Sequence, residues 1–401
     1  MGKISKIIEW FDERIGLSKT FLRPIPDYAF NISYWLGAIT AVNFVVLIIT
    51  GVLLAFHFDP TLSLNAQGVP RAWASVKYIT EEVPFGLIIR TVHLYSAYGM
   101  IVCAFIHLVR EYITGAYKRP REMMWIVGLI MGIILLTQAF TGYLLPYTER
   151  AYFATQVGYN VARSVPFIGD FLGYLMEGVG FQDMVQRFFI MHVFILPGLL
   201  LLLLGIKLYM FEIHGAFDPK RDVRKSSIRY YKWFPRGAYY IGAIGLIYVS
   251  IIIIIASLFP VKLDRYFDLE RAAKELLETP LPEWYFFWIY AFVRINYPPE
   301  YVSFMRNVIG IEDVATFTSV LVAIIAGIYL FLVPFLDRRP EVHPSKRFPF
   351  VVIGSIMFAE AIFLSIIVAF FIQVLLNFLL TLISILSVSY THLRAHETGR
   401  N

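Results

Sequence analysis

The stretch RTVHLYSAYGMIVCAFIHLVR (90–110) decides how the rest of the chain is read. It is a membrane-length apolar segment with a histidine near each end. His93 and His107 are fourteen residues apart, close to four helical turns, so both rings leave one face, about 21 Å apart along the axis. Ionisable groups inside a bilayer are costly and mark either function or hydrogen-bonded packing. A second stretch, HVFILPGLLLLLLGIKLY (192–209), repeats the layout, with His192 at one end and Lys207 fifteen residues on.

Composition sets the class. The 401 residues are 58% hydrophobic and 16% charged, and seven stretches are long enough to cross a bilayer: 33–57, 85–109, 123–146, 187–211, 237–260, 314–336 and 348–373. Apolar sequence continues to about Ile385, a candidate eighth span. The expected fold is an all-α integral membrane protein. An amphipathic surface segment (1–32) with no signal peptide leads into a four-helix transmembrane bundle (33–211). At least three further transmembrane helices follow in a C-terminal region (212–387). The last residues, VSYTHLRAHETGRN (388–401), resemble translated sequencing-adapter sequence and are read as a non-native tail; the alternative is a genuine polar tail carrying His392 and His396.

The net charge of +6 is no nucleic-acid signal, because its distribution follows the spans. Basic residues crowd the loops 111–122, 212–236 and 337–347, which alternate with loops where acids offset the bases. The positive-inside rule then puts the N-terminus and the basic loops in the cytoplasm and makes the second and fourth spans parallel. His93 and His192 fall at the outer level, and His107 and Lys207 at the inner. The single cysteine, Cys103, excludes an internal disulfide.

Paired imidazoles from two helices are the axial ligands of a six-coordinate haem iron. The alternative for each histidine alone is hydrogen-bonded packing. Glycine spacing supports the haem reading. Gly37 and Gly51 on the first span, and Gly128 and Gly142 on the third, repeat the fourteen-residue interval. A glycine lets a flat macrocycle approach the backbone, although small-residue helix packing gives the same composition. Arg90 and Arg110 sit one turn from His93 and His107, where a guanidinium can pair with a haem propionate or snorkel to the interface. The bundle therefore predicts two stacked planar cofactors.

Two more motifs lie towards the outer side. GYLLPY (142–147) closes the third span, and TPLPEWYFFWIYAFVR (279–294) sets Glu283 among prolines and aromatics. A carboxylate in an apolar niche is suited to accept a proton from a bound hydroquinone; the alternative is a solvated acid in an interfacial aromatic belt.

In its histidine pair, spaced glycines, GYLLP, RFFIMHVFILP and PEWY, the chain resembles cytochrome b of the respiratory and photosynthetic cytochrome bc complexes, over roughly residues 20–370. The resemblance implies the membrane subunit of a quinol–cytochrome c reductase, not active alone, in a bacterial inner membrane. It implies two haem b groups, the outer on His93 and His192, with Arg90 and Arg110 on propionates. Quinol would be oxidised on the outer side, with Glu283 accepting a proton beside Tyr285 and Tyr143 as the catalytic group and Pro282, Tyr290 and Ala154 binding quinone; Tyr143, Tyr285 and Tyr290 would line the pocket or contact the Rieske partner. One electron would pass to a Rieske iron–sulfur protein and a c-type cytochrome subunit. The other would cross to quinone on the inner side, with proton translocation. The assembly implied is a homodimeric complex in lipid, without nucleic acid.

Departures from the family pattern are specific. Tyr147 stands where Trp is common, Ala154 where Gly is common, and Ala238–Tyr239 where Lys–Asp is common, so inner quinone residues are not assigned. Lys207 replaces the second inner histidine. Three readings fit the sequence: a neutral-amine ligand, a snorkelling lysine beside a haem held by His107 alone, or no inner haem. A regular helix turns a fifteen-residue interval about 60° off its face, which a kink or bulge at Pro197 can absorb. Outside the family, the intramembrane His, Lys and Glu are compatible with a proton path in a transporter, and a haem with an anchor for another dehydrogenase.

Overall fold

The computed structural model describes residues 9–14, 16, 23–178, 181–274 and 281–370. Among them are seven helices long and apolar enough to cross a membrane: Ile32–Ala55, Gly86–Thr114, Glu122–Leu144, Met184–His214, Trp233–Leu258, Val314–Leu336 and Phe348–Phe370. The fold is all-α and multi-pass, as expected. The candidate eighth span, the tail 388–401 and residues 279–280 of the PEWY stretch lie outside the described residues.

These segments are helical because a bilayer offers no water to backbone amides, so each N–H and C=O must be satisfied within its own helix. The second span runs to Thr114, further than hydropathy predicts, and stops at Gly115, whose φ of +73° lets its N–H turn back to Tyr112 O. In the fourth span Pro197 has no N–H to give to the carbonyl one turn before. The ladder there widens to a π turn over Met191–Ile195, closed by Leu196 N–H on Met191 O.

The first span packs along the second and the third along the fourth. Phe44, Met100, Leu135 and Leu200, one from each, meet with Ile101 and Tyr285 in one buried cluster. Phe44, Met100 and Leu135 are the midpoints of the intervals 37–51, 93–107 and 128–142, and Leu200 lies at the middle of 192–207. The bundle is thus plugged with large side chains at mid-depth, leaving glycines and ionisable groups at two levels, one above the plug and one below.

The basic loops share one face. Arg121 Nη2 donates to His214 O at 2.8 Å, Arg221 Nη2 to Pro340 O at 3.0 Å, and Lys118 Nζ to Asp337 Oδ1 at 2.7 Å. The N-terminal strand Pro24–Pro26 joins the same face by antiparallel pairing with Tyr230–Lys232, Ile25 opposite Tyr231. At its centre is a buried charge network linking the first four spans to the later ones. Lys118, Asp337 and Arg347 are 4%, 2% and 0% exposed, and Arg347 Nε donates to Asp337 Oδ2 at 2.7 Å, beside Tyr117 OH at 2.9 Å. Burial works to raise the Asp337 carboxyl, but bonds from Arg347, Lys118 and Tyr117 outweigh it and hold the group below the usual carboxylate range.

On the opposite face, the Glu149–Arg163 helix is capped by Thr148, which accepts from Ala151 N–H. It is fastened to the segment after the fifth span by the Thr148–Tyr266 bridge and by Arg265 Nε on buried Glu149 at 2.7 Å. That segment leads to the PEWY turn.

Candidate haem and quinol sites

At the outer level the rings of His93 and His192 face each other with centroids 6.2 Å apart. This fits two imidazoles on opposite sides of one metal: two metal–nitrogen bonds of roughly 2 Å and half a ring at each end add to roughly 6 Å. Hydrogen bonds set which nitrogen is free. Thr50 Oγ1 gives its proton to Val46 O at 2.7 Å, so it accepts from His93 Nδ1 at 2.9 Å. His192 Nδ1 donates to Gln138 O at 2.8 Å, with Thr141 Oγ1 at 3.4 Å. Both rings are therefore held by Nδ1 and keep the Nε2 lone pair for a metal.

The glycines answer the ligands one for one. A Cβ on Gly51 would lie 3.2 Å from His93 Cε1, and one on Gly142 would lie 2.4 Å from His192 Cε1 and 3.0 Å from its Nε2. At the inner level a Cβ on Gly37 would lie 3.2 Å from His107 Nε2, and one on Gly128 2.7 Å from Lys207 Nζ. Gly128 and Gly142 are fourteen residues apart, whereas the residues they face are fifteen apart. The π turn at Met191–Ile195 supplies the extra residue, which is the offset expected at Pro197.

The inner level lacks the outer level's hydrogen-bond frame. His107 Nδ1 is buried without a hydrogen-bond partner, and Glu111 Oε1 is 3.9 Å away, too far for one. Arg110 binds the Glu111 carboxylate and lies over the Tyr34 ring at 4.1 Å. Arg90 donates through Nη2 to Val261 O, while its Nε is buried without a hydrogen-bond partner. An unpaired guanidinium donor one turn from His93 fits an acidic group such as a propionate.

Between the outer level and the mid-depth plug, against which Tyr98 packs, Tyr98 OH donates to Glu283 Oε2 at 2.9 Å. Tyr143 stands next to the same carboxylate, and Trp284 meets the Tyr98 ring edge-on at 5.8 Å. Pro282 precedes Glu283, whose extended backbone (ψ 149°) opens the Trp284–Phe286 turn. Tyr285 is buried in the mid-depth cluster; burial first, and the Glu283 charge second, raise its phenol well above the ordinary range, so it stays a neutral hydroxyl. Tyr290 belongs to a separate buried cluster with Ala291 and Val368, against Val157 of the Glu149–Arg163 helix; Ala154 is buried on that same helix. Tyr147 is buried with φ +48° against Phe267, and burial followed by Tyr152 pushes its phenol up to about 12.

Sequence reasoning placed the glycines and histidines but missed Thr50, Gln138, Thr141 and Tyr98. A signal existed for the threonines: Thr50–Gly51 and Thr141–Gly142 are the same dipeptide at equivalent points of two spans. For Tyr98 the signal was a hydroxyl inside an apolar span, where it requires a partner.

Residues 98–265 match the family model described as Cytochrome b(N-terminal)/b6/petB, and residues 275–391 match Cytochrome b(C-terminal)/b6/petD. A cytochrome bc complex cytochrome b subunit from Chlorobaculum thiosulfatiphilum is 32% identical over 371 residues, 89% of this chain and 79% of that protein. The chain belongs to the cytochrome b family. Cytochrome b6 of Heliobacterium modesticaldum is 38% identical over 220 residues, 53% of this chain and the whole of that protein. The fold is that of a chain of a hyperthermophilic respiratory Complex III, with a TM-score of 0.71 at 24% identity, covering 90% of this chain and 91% of the other. Membership of the cytochrome b family implies haem b, and the four glycines opposite His93, His107, His192 and Lys207 are a cradle that fits it.

Proposed function

We propose that this cytochrome b is the membrane subunit of a respiratory bc-type complex that oxidises quinol at the outer face and reduces quinone at the inner. The observation that carries this reading is the Tyr98–Glu283 hydrogen bond, five residues from His93 and so about 7 Å along the helix from the outer imidazole pair. Two bound haems would move single electrons from one level to the other. His93 and His192 would hold the outer one and His107 the inner; Gly37, Gly51, Gly128 and Gly142 would make room, Arg90 has an unpaired Nε for a propionate, and Arg110 would exchange its Glu111 partner for one. The Glu283 carboxylate takes a proton from quinol, with Tyr98 fixing its orientation. Pro282 stiffens the backbone just before Glu283, and Tyr143, Tyr285 and Trp284 exclude water around it. Ala154 and Tyr290 lie on the more distant wall.

Membership of the cytochrome b family supports extending the proposal to the rest of the machine. A Rieske iron–sulfur protein takes the first electron and passes it to a c-type cytochrome, in a homodimeric complex of the bacterial cytoplasmic membrane with the N-terminus inside. Protons are released outside and taken up inside. The chain divides into the surface segment 1–32, the haem bundle 33–211 and the region 212–387 that brings PEWY to the outer level. The single-faced clustering of the basic loops supports this orientation. Rapid mixing of a short-chain quinol with membranes holding the complex tests the reading. Haem b absorbance should rise, and Glu283→Gln should slow that rise by about 10²-fold or more. Absence of quinol-driven reduction in the parent protein would refute the function, and full speed in the variant would refute the role of Glu283.

A further inference from the structure

We propose that Lys207 Nζ is the second axial ligand of the inner haem, opposite His107. This rests on the two-haem reading above and goes past it, because the ligand is an amine in place of an imidazole.

Register is the first argument. Gly142 faces His192 and Gly128 faces Lys207, so the π turn gives Lys207 the same relation to the third span that His192 has one level out. A lysine that had lost its ligand role would have no need of that register.

Direction is the second. The fourth span runs from the outer level inward, and Cα–Cβ bonds tilt towards a helix N-terminus. Lys207 therefore leans back into the bundle. It lies seven residues before the end of its helix at His214, about 10 Å along the axis, and snorkelling would have to run against the tilt. The structure has Nζ pointing at Gly128, 2.7 Å from where a Cβ would be.

The Lys207 amine also lacks a partner. Among the described residues Lys207 Nζ makes no hydrogen bond and no ion pair within 4 Å. His107 and Glu111 are its electrostatic neighbours, which puts it at the level of the inner imidazole. An ammonium left this way within a transmembrane span is one of the costliest groups a bilayer can hold. Loss of one proton to the inner aqueous phase gives a neutral amine, and the nitrogen lone pair then makes the sixth bond to iron. Amine and imidazole are both nitrogen donors, so the iron stays six-coordinate and low-spin.

Electron paramagnetic resonance and near-infrared magnetic circular dichroism of the purified oxidised complex test this with Lys207→Ala and Lys207→His. The parent should show two low-spin haems per chain, one with a charge-transfer band displaced from that of a bis-imidazole centre. Lys207→Ala should turn one of the two haems high-spin and leave the other unchanged. Lys207→His should keep both low-spin and move the displaced band to the bis-imidazole position. A high-spin inner haem in the parent overturns the proposal, because it describes Lys207 pairing with a propionate or idling beside a five-coordinate iron. So does a parent spectrum that neither substitution alters. If Lys207→Ala cannot retain the haem, the comparison of parent with Lys207→His decides alone. A parent with no haem b at all sinks the two-haem reading instead.

Discussion

Adding one methyl group at Gly142 is the sharpest perturbation of the outer level. The Cβ of Gly142→Ala would stand 2.4 Å from His192 Cε1, where carbon contacts need about 3.4 Å or more, so the ring must retreat by about 1 Å. It is not free to do so, because Nδ1 is tied to Gln138 O at 2.8 Å and the Gln138 amide holds His192 O at 2.7 Å. Overpacking of this kind costs about 1–3 kcal/mol, and every 1.4 kcal/mol is tenfold, so retention of the outer haem should weaken by roughly 5- to 150-fold. Gly51→Ala brings its Cβ only to 3.2 Å from His93, a shift of a few tenths of an ångström, and should retain the haem. The assay is haem b per chain by alkaline pyridine spectra, with low-temperature optical spectra to separate the two centres. Selective loss of the outer centre in Gly142→Ala, with both retained in Gly51→Ala, is the expected result. Equal damage from the two, or an intact outer centre in Gly142→Ala, refutes the idea that glycine spacing exists to seat these imidazoles.

Thr50→Val removes the acceptor that draws on His93 Nδ1–H, makes the ligand less electron-donating, and should raise the outer haem potential by roughly 40 mV, the equivalent of about 1 kcal/mol; Thr141→Val should do less, since its contact with His192 is 3.4 Å and Gln138 O remains. Redox titration of the two centres checks both. Tyr98→Phe leaves the Glu283 carboxylate without its 2.9 Å donor and should slow quinol oxidation by about tenfold, with less effect on haem content, measured by quinol–cytochrome c reductase turnover. Asp337→Asn leaves Lys118 and Arg347 as buried charges without their carboxylate and should destabilise the chain by about 3–5 kcal/mol in a detergent denaturation assay. Since the folded Asp337 titrates below its ordinary value, its contribution should be complete above about pH 4 and fade as pH falls through the folded value, and the variant should lack that acid-side loss.

Much of this architecture was legible in the sequence because a bilayer imposes simple rules. Length, hydropathy and the alternation of basic loops are one-dimensional properties, and they located seven spans and the parallel run of the second and fourth. The fourteen-residue intervals located both levels, since helical periodicity turns spacing directly into facing. Helix ends were less legible: the second span runs on past Arg110 because Tyr112 is buried against later helices, and the stop is set by the left-handed Gly115. Contacts between distant segments were not legible at all. Tyr98 and Glu283 are 185 residues apart, and no local pattern announces their meeting. The same holds for Lys118 and Arg347. Both were counted as loop charges, yet they are buried against Asp337, because a charge count carries no information about burial. Tyr290 lies in the right segment but one cluster away from Glu283, since the Phe287–Val293 helix carries it past the carboxylate.

The central claim is that one bundle holds two haems, one at each level. The most direct test is the number of non-covalent b haems per polypeptide in the purified complex, from pyridine haemochrome absorbance against quantitative amino-acid analysis. The account predicts two per chain, falling to one when His93 or His192 is replaced by alanine. A parent value of one or none would contradict it.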